Sequence, residues 1–363
     1  MNQRDLTIYN VGQNLDDIMN LDPRGYGVCR ILYKGSREHA GEPLSTLFAK
    51  RLIGAVKLGG TVFIQTGFVL LPHKVGEMDG IVGAALLARA LIVALDAKPA
   101  IIVPDACVKA AHKLAAACGL HSYDSIEKAS EMTYSIAVVP FTTDSNKADA
   151  LAEKLYSAHP PSAIIATEAA GANAFGVYHT AMGLDVTALE SKSDALFSLC
   201  KSGGVPTFAI GDLGNEIGMG AIADHIDRYI PKAARSLGRD SILAATAADT
   251  CLTATVSDWG MNAVIAALAY LLQNPDVLHS DEIQREAMLT ASRAGMVNMY
   301  GDLNPCIDGF DIDFNQTLLH LMRRLIEQAG KLVKTCKPWF DGVIDRGFFD
   351  LKDVLKKDSS THE

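Results

Sequence analysis

The chain lacks several patterns that would assign it to a well-marked class of protein. Its seven cysteines are scattered and odd in number, and none forms a Cys-x-x-Cys pair. This distribution argues against a disulfide framework and against a zinc site built from paired cysteines. The polar first residues are not followed by the apolar core of a secretory signal. We therefore expect buried free thiols in a reducing compartment, with the cytoplasm as the predicted location.

Basic clusters and long apolar segments are also missing. The net charge is −9, and Lys and Arg are not grouped with aromatic residues, so no nucleic-acid partner is expected. The longest apolar segment, Ile81–Leu95, contains Arg89 and is too short to span a bilayer, so no membrane association is expected. The P-loop, G-x-S-x-G and H-E-x-x-H motifs are absent from the sequence. These absences exclude the motif-defined nucleotide, serine-hydrolase and zinc-protease classes.

Short apolar segments alternate with longer helical patterns over most of the chain. The six strand candidates are mostly apolar without clear alternation, as expected of strands covered on both faces. They are Thr61–Gln65, Ala100–Val103, Ser135–Pro140, Ala163–Ala166, Pro206–Ile210 and Leu252–Val256, with Val28–Tyr33 as a weaker seventh. The helix candidates are Leu44–Lys57, Gly80–Ala97, Ala106–Cys118, Lys147–Ser157, Ser191–Lys201, Gly214–Tyr229 and Gly260–Gln273. This rhythm predicts an α/β fold with an open, mostly parallel sheet of about six or seven strands, covered by helices on both faces.

The last third of the chain contains helical patterns without strands. Ser280–Ala294 and Phe314–Val333 are predicted helices, and the apolar stripe of the second is typical of a core helix. The alternative for that stripe is the seam of a homo-oligomer. Because no linker is evident, we predict one large domain over residues 1–350 with a helical C-terminal part, followed by a flexible polar tail over residues 351–363.

Acidic residues follow several of the predicted strands. Ligands of open α/β sheets bind beyond the carboxyl ends of the strands. Four strand candidates deliver a carboxylate there, namely Asp105, Glu168, Asp212 and Asp258, and a fifth leads into Thr66-Gly67 and the acidic segment Glu77-Met78-Asp79-Gly80. If these strand ends are neighbours, the crevice is strongly acidic and attracts an ammonium group or a divalent cation. For Asp105 and Asp258, capping of a helix N-terminus is the favoured interpretation.

The segment from Ile210 to Gly220 is the most informative part of the chain. It places four glycines, two carboxylates and one carboxamide after a strand candidate. Glycine permits positive φ and lets a ligand approach the backbone. Carboxylates at such a turn can transfer protons or hold a cation. The alternative is a tight strand-to-helix connection that carries a solvated acid.

A second glycine-spaced segment follows Glu168 and extends to Asp185. It is too long for an ordinary strand-to-helix turn. Tyr178 and His179 within it supply two candidate proton carriers or substrate donors. For His179, a position on the surface is an equal alternative.

These segments together carry a resemblance to a known family. In chain order they are Thr66-Gly67-Phe68, Glu77-x-Asp79-Gly80, Glu168-x-x-Gly171, Gly176-x-Tyr178, Met182-Gly183-x-Asp185, Gly211-Asp212-x-Gly214-Asn215-Glu216-Ile217-Gly218-Met219-Gly220 and Val256-Ser257-Asp258-Trp259-Gly260. From roughly residue 10 to residue 300 the chain resembles the C-terminal domain of D-glutamate cyclase. The family usually has an arginine at the position of Ala169, a glycine at Leu213 and often an asparagine at Asp258.

The resemblance implies an enzyme, a hydro-lyase that cyclises D-glutamate or a related amino acid to 5-oxo-D-proline. For that reaction we assign Asp212 and Glu216 as base and acid, and Glu168 as the group that orients the substrate ammonium. Backbone amides of the turn Gly214–Gly220 are the expected donors to the oxyanion. The predicted substrate-binding residues are Thr66, Gly67, Glu77, Asp79, Gly171, Asn173, Tyr178, His179, Gly214, Asn215, Gly218 and Asp258.

Two other functions compete with this interpretation. The first is a metal-assisted lyase or hydrolase acting on a small carboxylate, with Mg²⁺ or Mn²⁺ in the acidic crevice. The second is a non-catalytic amino-acid-binding module, suggested by the additional N-terminal domain of the cyclase, which we do not expect in this chain. No organic cofactor is evident in the sequence.

Overall fold

The computed structural model describes residues 3–230, 239–335, 341–342 and 345–346. These residues contain a seven-stranded sheet and a two-stranded hairpin. The strands are β1 (Thr61–Gly67), β2 (Val69–Leu70), β3 (Val75–Gly76), β4 (Lys98–Val103), β5 (His121–Tyr123), β6 (Ser135–Pro140), β7 (Ala163–Ala169), β8 (Thr207–Gly211) and β9 (Thr250–Thr253).

Helices account for most of the remaining described chain. They are α1 (Gln3–Met19), α2 (Val28–Ala40), α3 (Leu44–Ala55), α4 (Ile81–Leu95), α5 (Asp105–Ala117), α6 (Ile126–Glu131), α7 (Ser145–Ala158), α8 (Asp194–Ser202), α9 (Ala223–Tyr229), α10 (Ser257–Leu272), α11 (Asp281–Arg293) and α12 (Ile312–Thr335). The last two form the helical C-terminal part that the sequence predicts.

The large sheet is open and parallel, with the strand order β5-β6-β4-β1-β7-β8-β9. The predicted fold class is therefore confirmed. The chain leaves β1 towards β4 on one side and later returns to β7 on the other side of β1. The loops that follow β1 and β7 therefore lead away from each other, at the position where ligands of open α/β sheets bind. The sequence predicts the site at these strand ends.

Successive side chains of the central strand β1 lie on opposite faces of the sheet and pack in two different hydrophobic cores. Ile64 of β1 packs in the core that contains α4 and α10, whereas Phe63 packs in the core on the opposite face of the sheet. Burial on both faces explains why the strands carry apolar residues without alternation. The apolar segment Ile81–Leu95 forms α4, a helix buried in the first core. None of the helices in the described part of the chain combines the length and apolar content needed to cross a bilayer.

The seventh strand is β5, and the prediction of a strand at Val28–Tyr33 is wrong. Those residues begin α2, where Cys29, Leu32 and Ser36 are buried at helical spacing and the other side faces outwards. The six residues of this segment are too few to reveal the period of 3.6 residues that marks a helix. In contrast, β5 is a three-residue edge strand that is only partly buried, so it is too short and too polar to give a strand pattern.

A helix over Gly214–Tyr229 is also not observed as predicted. Residues 214–219 form a turn, a short 3₁₀ segment covers Gly220–Ile222, and α9 begins at Ala223. Gly214 and Gly218 have φ values of 93° and 96°, which an α-helix excludes and glycine tolerates. The glycines therefore shape a loop that precedes the helix.

Two further expectations concern the thiols and the tail. The six described cysteines are free, and all except Cys306 are buried, as expected for a chain without a disulfide framework. The predicted tail over residues 351–363 lies outside the described residues.

The N-terminal helix α1, which the sequence pattern does not predict, is held by Asp16. The buried carboxylate of Asp16 accepts hydrogen bonds from the amides of Leu44 (2.6 Å) and Ser45 (3.0 Å) at the start of α3, and from the hydroxyl of Tyr33 (3.1 Å). One side chain thus satisfies free amides of α3 and joins three helices.

We expect Asp16→Ala to lower the free energy of unfolding by at least about 2 kcal/mol, because it leaves buried donors without an acceptor. Denaturant unfolding measures the change. The matched control is Asp17→Ala, which removes an exposed acid from the same helix and should change the value by less than about 0.5 kcal/mol. Equal effects of the two substitutions would contradict this account of α1.

Candidate active site

The carboxyl ends of β1, β7, β8 and β9 bring acidic side chains to one buried point. One carboxylate oxygen from each of Asp79, Glu168 and Asp212 lies within 4.8 Å of the other two. Glu77, Asp258 and Asp308 adjoin these three, as their mutual effects on pKa show. We call these six residues the acidic cluster. All six are buried, with exposed fractions of 9% or less.

Two helices position Asp79 and Asp258 by capping each other. Oδ1 of Asp258, in the first turn of α10, accepts from the amides of Gly80 (2.9 Å) and Gly83 (3.1 Å) at the start of α4. Oδ1 of Asp79, just before α4, accepts from the amide of Asp258 (3.0 Å). The N-termini of α4 and α10 thus face the same carboxylates, and their positive ends favour the charged form. Asp258 thus caps the neighbouring helix α4 and not its own helix α10, which differs from the capping role that the sequence predicts.

Gly80 permits the close approach of these groups. Its φ is 80°, and a Cβ at this position would lie 2.3 Å from Cβ of Glu168 and 2.8 Å from Oγ1 of Thr66. Any side chain here would displace both neighbours and strain the backbone. The cluster therefore depends on a glycine immediately after Asp79.

The backbone of Glu168 is strained where β7 ends. Its φ is 43°, a conformation that costs energy for a residue with a Cβ. The pairing of β1 with β7 is irregular at the same point, beyond Gln65. Oγ of Ser257 donates a 2.6 Å hydrogen bond to Oε2 of Glu168. The strained turn and this hydrogen bond direct the carboxylate into the cluster.

Glu216 closes the loop after β8. Its carboxylate accepts hydrogen bonds from the amides of Asp212 (2.8 Å), Leu213 (2.9 Å) and Gly214 (2.7 Å). A carboxylate in such a nest of amides serves to shape the loop and thereby to place Asp212. The geometry favours this positioning role over the acid role that the sequence suggests for Glu216.

Several of the expected oxyanion donors in the turn Gly214–Gly220 already have partners. The amide of Gly214 donates to Glu216, that of Ile217 donates to the carbonyl of Ala169, and that of Gly218 donates to Thr246. In addition, the turn is followed by a short 3₁₀ segment and not directly by an α-helix. Its amides therefore do not form the positive end of an α-helix dipole. These three amides are therefore not free donors, and the oxyanion role of the turn stays a prediction.

Asp308 and Arg24 belong to the site but were not predicted. Nη1 of Arg24 lies 3.2 Å from Oδ2 of Asp308, and Nη2 donates to the carbonyl of Thr255 at 2.7 Å. The carboxyl groups of Asp212 and Asp308 are close enough to share a hydrogen bond. Both residues come from irregular loops without a preceding strand. Their only signal in the sequence is the glycine beside each of them, as Arg24-Gly25 and Asp308-Gly309.

The electrostatics of the acidic cluster favour its protonated forms. Burial, followed by the neighbouring carboxylates, raises the pKa of Asp79 and of Glu168 well above the ordinary range. The pKa of Asp212 is raised by burial first and then by Glu168 and Asp308. Burial also raises the pKa of Asp258 to about 7, and its hydrogen bonds partly oppose this change. The cluster therefore takes up protons or cations readily.

Tyr178 belongs to a different network. Its hydroxyl donates to Oδ2 of Asp194 (2.7 Å), and Nζ of Lys192 lies 4.1 Å from the centre of its ring. A cleft of about 630 Å³ borders this network at Lys192. His179 is buried, with an exposed fraction of 5%, so it is not a surface histidine. Its carbonyl accepts from Nδ2 of Asn215.

The other predicted binding residues build the loops around the cluster. Nδ2 of Asn173 donates to two carbonyl groups and its Oδ1 accepts from two amides, so all its polar atoms have partners. The amide of Gly171 donates to the carbonyl of Asn215. A Cβ at Gly218 would lie 2.3 Å from Cβ of Ala209, and one at Gly67 would lie 2.9 Å from Pro104. Substrate contacts of these residues stay predictions.

Asp105 is brought to the sheet edge but not into the cluster. It is the first residue of α5 and is exposed. Within the described part of the chain it makes no side-chain capping hydrogen bond at the start of α5, so of the predicted capping role only the favourable interaction of its charge with the helix dipole remains. Asp105 therefore provides a matched control for the buried acids.

Comparison with known proteins identifies the family. A family model described as D-glutamate cyclase-like, C-terminal, matches residues 15–323. The chain belongs to this family. Human mitochondrial D-glutamate cyclase is 28% identical over 282 residues, which cover 75% of this chain and 41% of the human protein. The chain thus corresponds to less than half the length of this relative.

The raised pKa of Asp258 predicts a dependence of stability on pH. Folding raises this pKa from 3.8 to about 7, so the folded protein retains a proton that the unfolded chain has released. The corresponding stability is complete below pH 4 and is lost as the pH rises towards 7. Asp258→Asn keeps an acceptor for Gly80 and Gly83. We expect it to flatten this loss by up to about 1.4 kcal/mol per pH unit.

Urea unfolding between pH 4 and pH 7.5, in the presence of a chelator, measures the effect. Asp105→Asn should follow the wild-type profile, because Asp105 is exposed. Parallel profiles for wild type and Asp258→Asn would show that Asp258 does not titrate in this way.

Proposed function

We propose that this chain is an enzyme that converts D-glutamate, or a related amino acid, to 5-oxo-D-proline by intramolecular dehydration. The observation that carries the proposal is the meeting of Asp79, Glu168 and Asp212 at the strand ends of a chain in this family. Buried carboxylates suit a substrate whose reacting group is an ammonium, because that cation offsets their mutual repulsion. The name of the human relative suggests the substrate class.

The reaction forms one bond and breaks one bond within the same molecule. The amine nitrogen attacks the carbon of the side-chain carboxyl group, and one oxygen of that group leaves as water. The ammonium group loses two protons, and the departing oxygen gains two. Protein groups must therefore accept protons from nitrogen and deliver them to oxygen, while holding the substrate in a folded conformation.

Asp212 is the proposed base. Its raised pKa makes it a stronger proton acceptor than an exposed aspartate. Glu168, held by Ser257, is the proposed ligand of the substrate ammonium. Glu216 positions Asp212 through the loop amides. A protonated neighbouring carboxyl group of the cluster, such as that of Asp79, whose pKa burial raises well above the ordinary range, is the proposed donor to the leaving oxygen.

Arg24 is the proposed partner of a substrate carboxylate. Its two terminal nitrogens contact Asp308 and the carbonyl of Thr255, but the buried Nε has no hydrogen-bond partner among the described residues. A guanidinium with a free donor suits a carboxylate oxygen. Arg24 would thus supply the positive charge that the family places at the position of Ala169.

The substrate must enter by movement of the chain around the cluster, since every member is buried. The Arg24–Asp308 ion pair, with side chains 16% and 11% exposed, is the more exposed edge of the site. Closure over a bound substrate would exclude water, which suits a dehydration.

The direct test is incubation of the full chain with D-glutamate, followed by chiral chromatography for 5-oxo-D-proline. We expect product from the wild type and a loss of at least about 100-fold in kcat/KM for Asp212→Asn, which removes the base but keeps the side-chain shape. Asp105→Asn should retain wild-type activity. Circular dichroism and thermal unfolding establish that each variant is folded.

Other outcomes distinguish the competing functions. Product formation by Asp212→Asn at the wild-type rate would remove Asp212 from the mechanism. Saturable binding of D-glutamate without product would favour an amino-acid-binding module. Hydrolysis of a small carboxylate substrate instead of cyclisation would favour the metal-assisted hydrolase.

Location and assembly are further proposals. We retain the cytoplasm as the proposed location, although the name of the human relative places that protein in mitochondria. The stripe of α12 packs in the chain's own core through Leu318, Met322 and Leu325, as predicted for a core helix, so a homo-oligomer stays a proposal without an assigned seam. Light scattering of the purified chain measures its oligomeric state.

A further inference from the structure

We propose that the acidic cluster binds one divalent cation, Mg²⁺ or Mn²⁺, through carboxylate oxygens of Asp79, Glu168 and Asp212. The proposed ion shares its site with the proposed function, and its part in the reaction rests on that function. Binding of the ion itself does not rest on it, because it follows from the arrangement of the ligands.

The geometry of the three carboxylates is close to that of a coordination sphere. Their oxygens lie within 4.8 Å of one another. Oxygens on opposite sides of an octahedral Mg²⁺ are about 4.2 Å apart, since each bond is about 2.1 Å long. Small side-chain adjustments therefore suffice to bring all three oxygens onto one ion. Oxygen ligands alone select hard cations over zinc, for which histidine and cysteine are the usual ligands.

An unpartnered hydroxyl at the same point is an independent indication of a ligand. Oγ1 of Thr66 is buried and has no hydrogen-bond partner among the described residues, and Thr66 is only 2% exposed. It lies against Gly80 at the position where a side chain would begin, and Glu168 packs against the same position. Buried polar atoms in native structures are nearly always satisfied by protein, water or an ion. A coordinated cation, or one of its water molecules, satisfies this oxygen.

A second unsatisfied oxygen belongs to Asp258. Its Oδ2 receives no hydrogen bond from any described N–H or O–H group. The backbone amide of the same residue donates to Oδ1 of Asp79, so Asp258 adjoins a proposed ligand. A cation bound at Asp79 would attract this oxygen. The pair thus marks a position where positive charge is needed.

The charge balance leads to the same conclusion. Six carboxylates compose the cluster and that of Glu216 adjoins it, whereas the guanidinium of Arg24 is a cation that the described residues place beside Asp308 and Asp212. The N-termini of α4 and α10 add partial positive charges equivalent to about half a charge each. The remaining negative charge is offset by protons or by a cation. A divalent ion would also hold an oxygen of the attacked carboxylate and make its carbon more electrophilic.

Metal binding to the full chain, stripped with a chelator and free of substrate, tests the inference. Calorimetry and electron paramagnetic resonance with MnCl₂ should show one Mn²⁺ per chain, and MgCl₂ should compete. Thermal unfolding should shift to higher temperature as the ion is added. We expect Asp79→Asn and Glu168→Gln to weaken Mn²⁺ binding by at least about tenfold.

Three comparisons separate a ligand role from a structural one. Metal-free Glu168→Gln should be at least as stable as the wild type, because the substitution removes a repelled charge while the new amide side chain keeps an acceptor oxygen for Ser257. Thr66→Val leaves the charge intact and should weaken Mn²⁺ binding without lowering metal-free stability. Asp105→Asn should bind like the wild type.

The inference is overturned if the wild type shows no saturable binding of Mn²⁺ or Mg²⁺ at millimolar concentration, or if the cluster variants bind as well as the wild type. Because no substrate is present, this result is independent of cyclisation. A chain that binds Mn²⁺ but forms no 5-oxoproline would refute the proposed function alone. A chain that cyclises D-glutamate in the presence of a chelator would refute a catalytic part for the ion.

Discussion

The repulsion among six buried carboxylates is the constraint on which the rest of this structure depends. Placing one charged carboxylate in a protein interior is costly, and placing several side by side is more so. The chain compensates with the N-termini of α4 and α10, the guanidinium of Arg24 and the hydroxyl of Ser257. What remains uncompensated is a demand for positive charge. Protons can meet that demand, and so would the proposed substrate ammonium or the proposed divalent cation, whose binding would then recover part of the cost in stability.

The fold supplies the rigidity that such a site requires. Residues of α4 and α10 are buried almost throughout, so neither helix can shift without opening the core. Their N-termini exchange caps through Asp79 and Asp258, which ties both helices to the same point. Glu216 fixes the loop after β8 in the same manner, because its carboxylate accepts hydrogen bonds from three backbone amides. Backbone amides of these tightly packed elements thus hold carboxylates that repel one another.

The sequence was sufficient to predict the sheet and most of the acids. Apolar segments located the long strands, and the rule for parallel sheets placed Glu168, Asp212 and Asp258 at one edge. Arg24 and Asp308 could not be found in this way, because they reach the site from irregular loops. The roles of Asp258 and Glu216 also depend on which amides they meet, and those contacts are set by tertiary structure. Helix α2 was missed as a helix because its first six residues are too few to distinguish the two periods.

The resemblance and the geometry contribute different parts of the account. The family match covers residues 15–323 and suggests the chemistry, whereas the structure shows which carboxylates meet at one buried point. Tyr178 illustrates the difference, since it lies within a motif of the resemblance but contacts Asp194 and Lys192 outside the cluster. The glycine-spaced loop around Tyr178 therefore serves first to build the wall of the site.

The measurement that tests the central claim most directly is a crystal structure of the chain with 5-oxo-D-proline, the proposed product. The account predicts that the lactam lies within hydrogen-bond distance of Asp212 and Glu168, with its carboxylate towards Arg24. A ligand bound instead in the cleft beside Lys192, with the acidic cluster unchanged, would contradict the claim that the cluster is the reaction site.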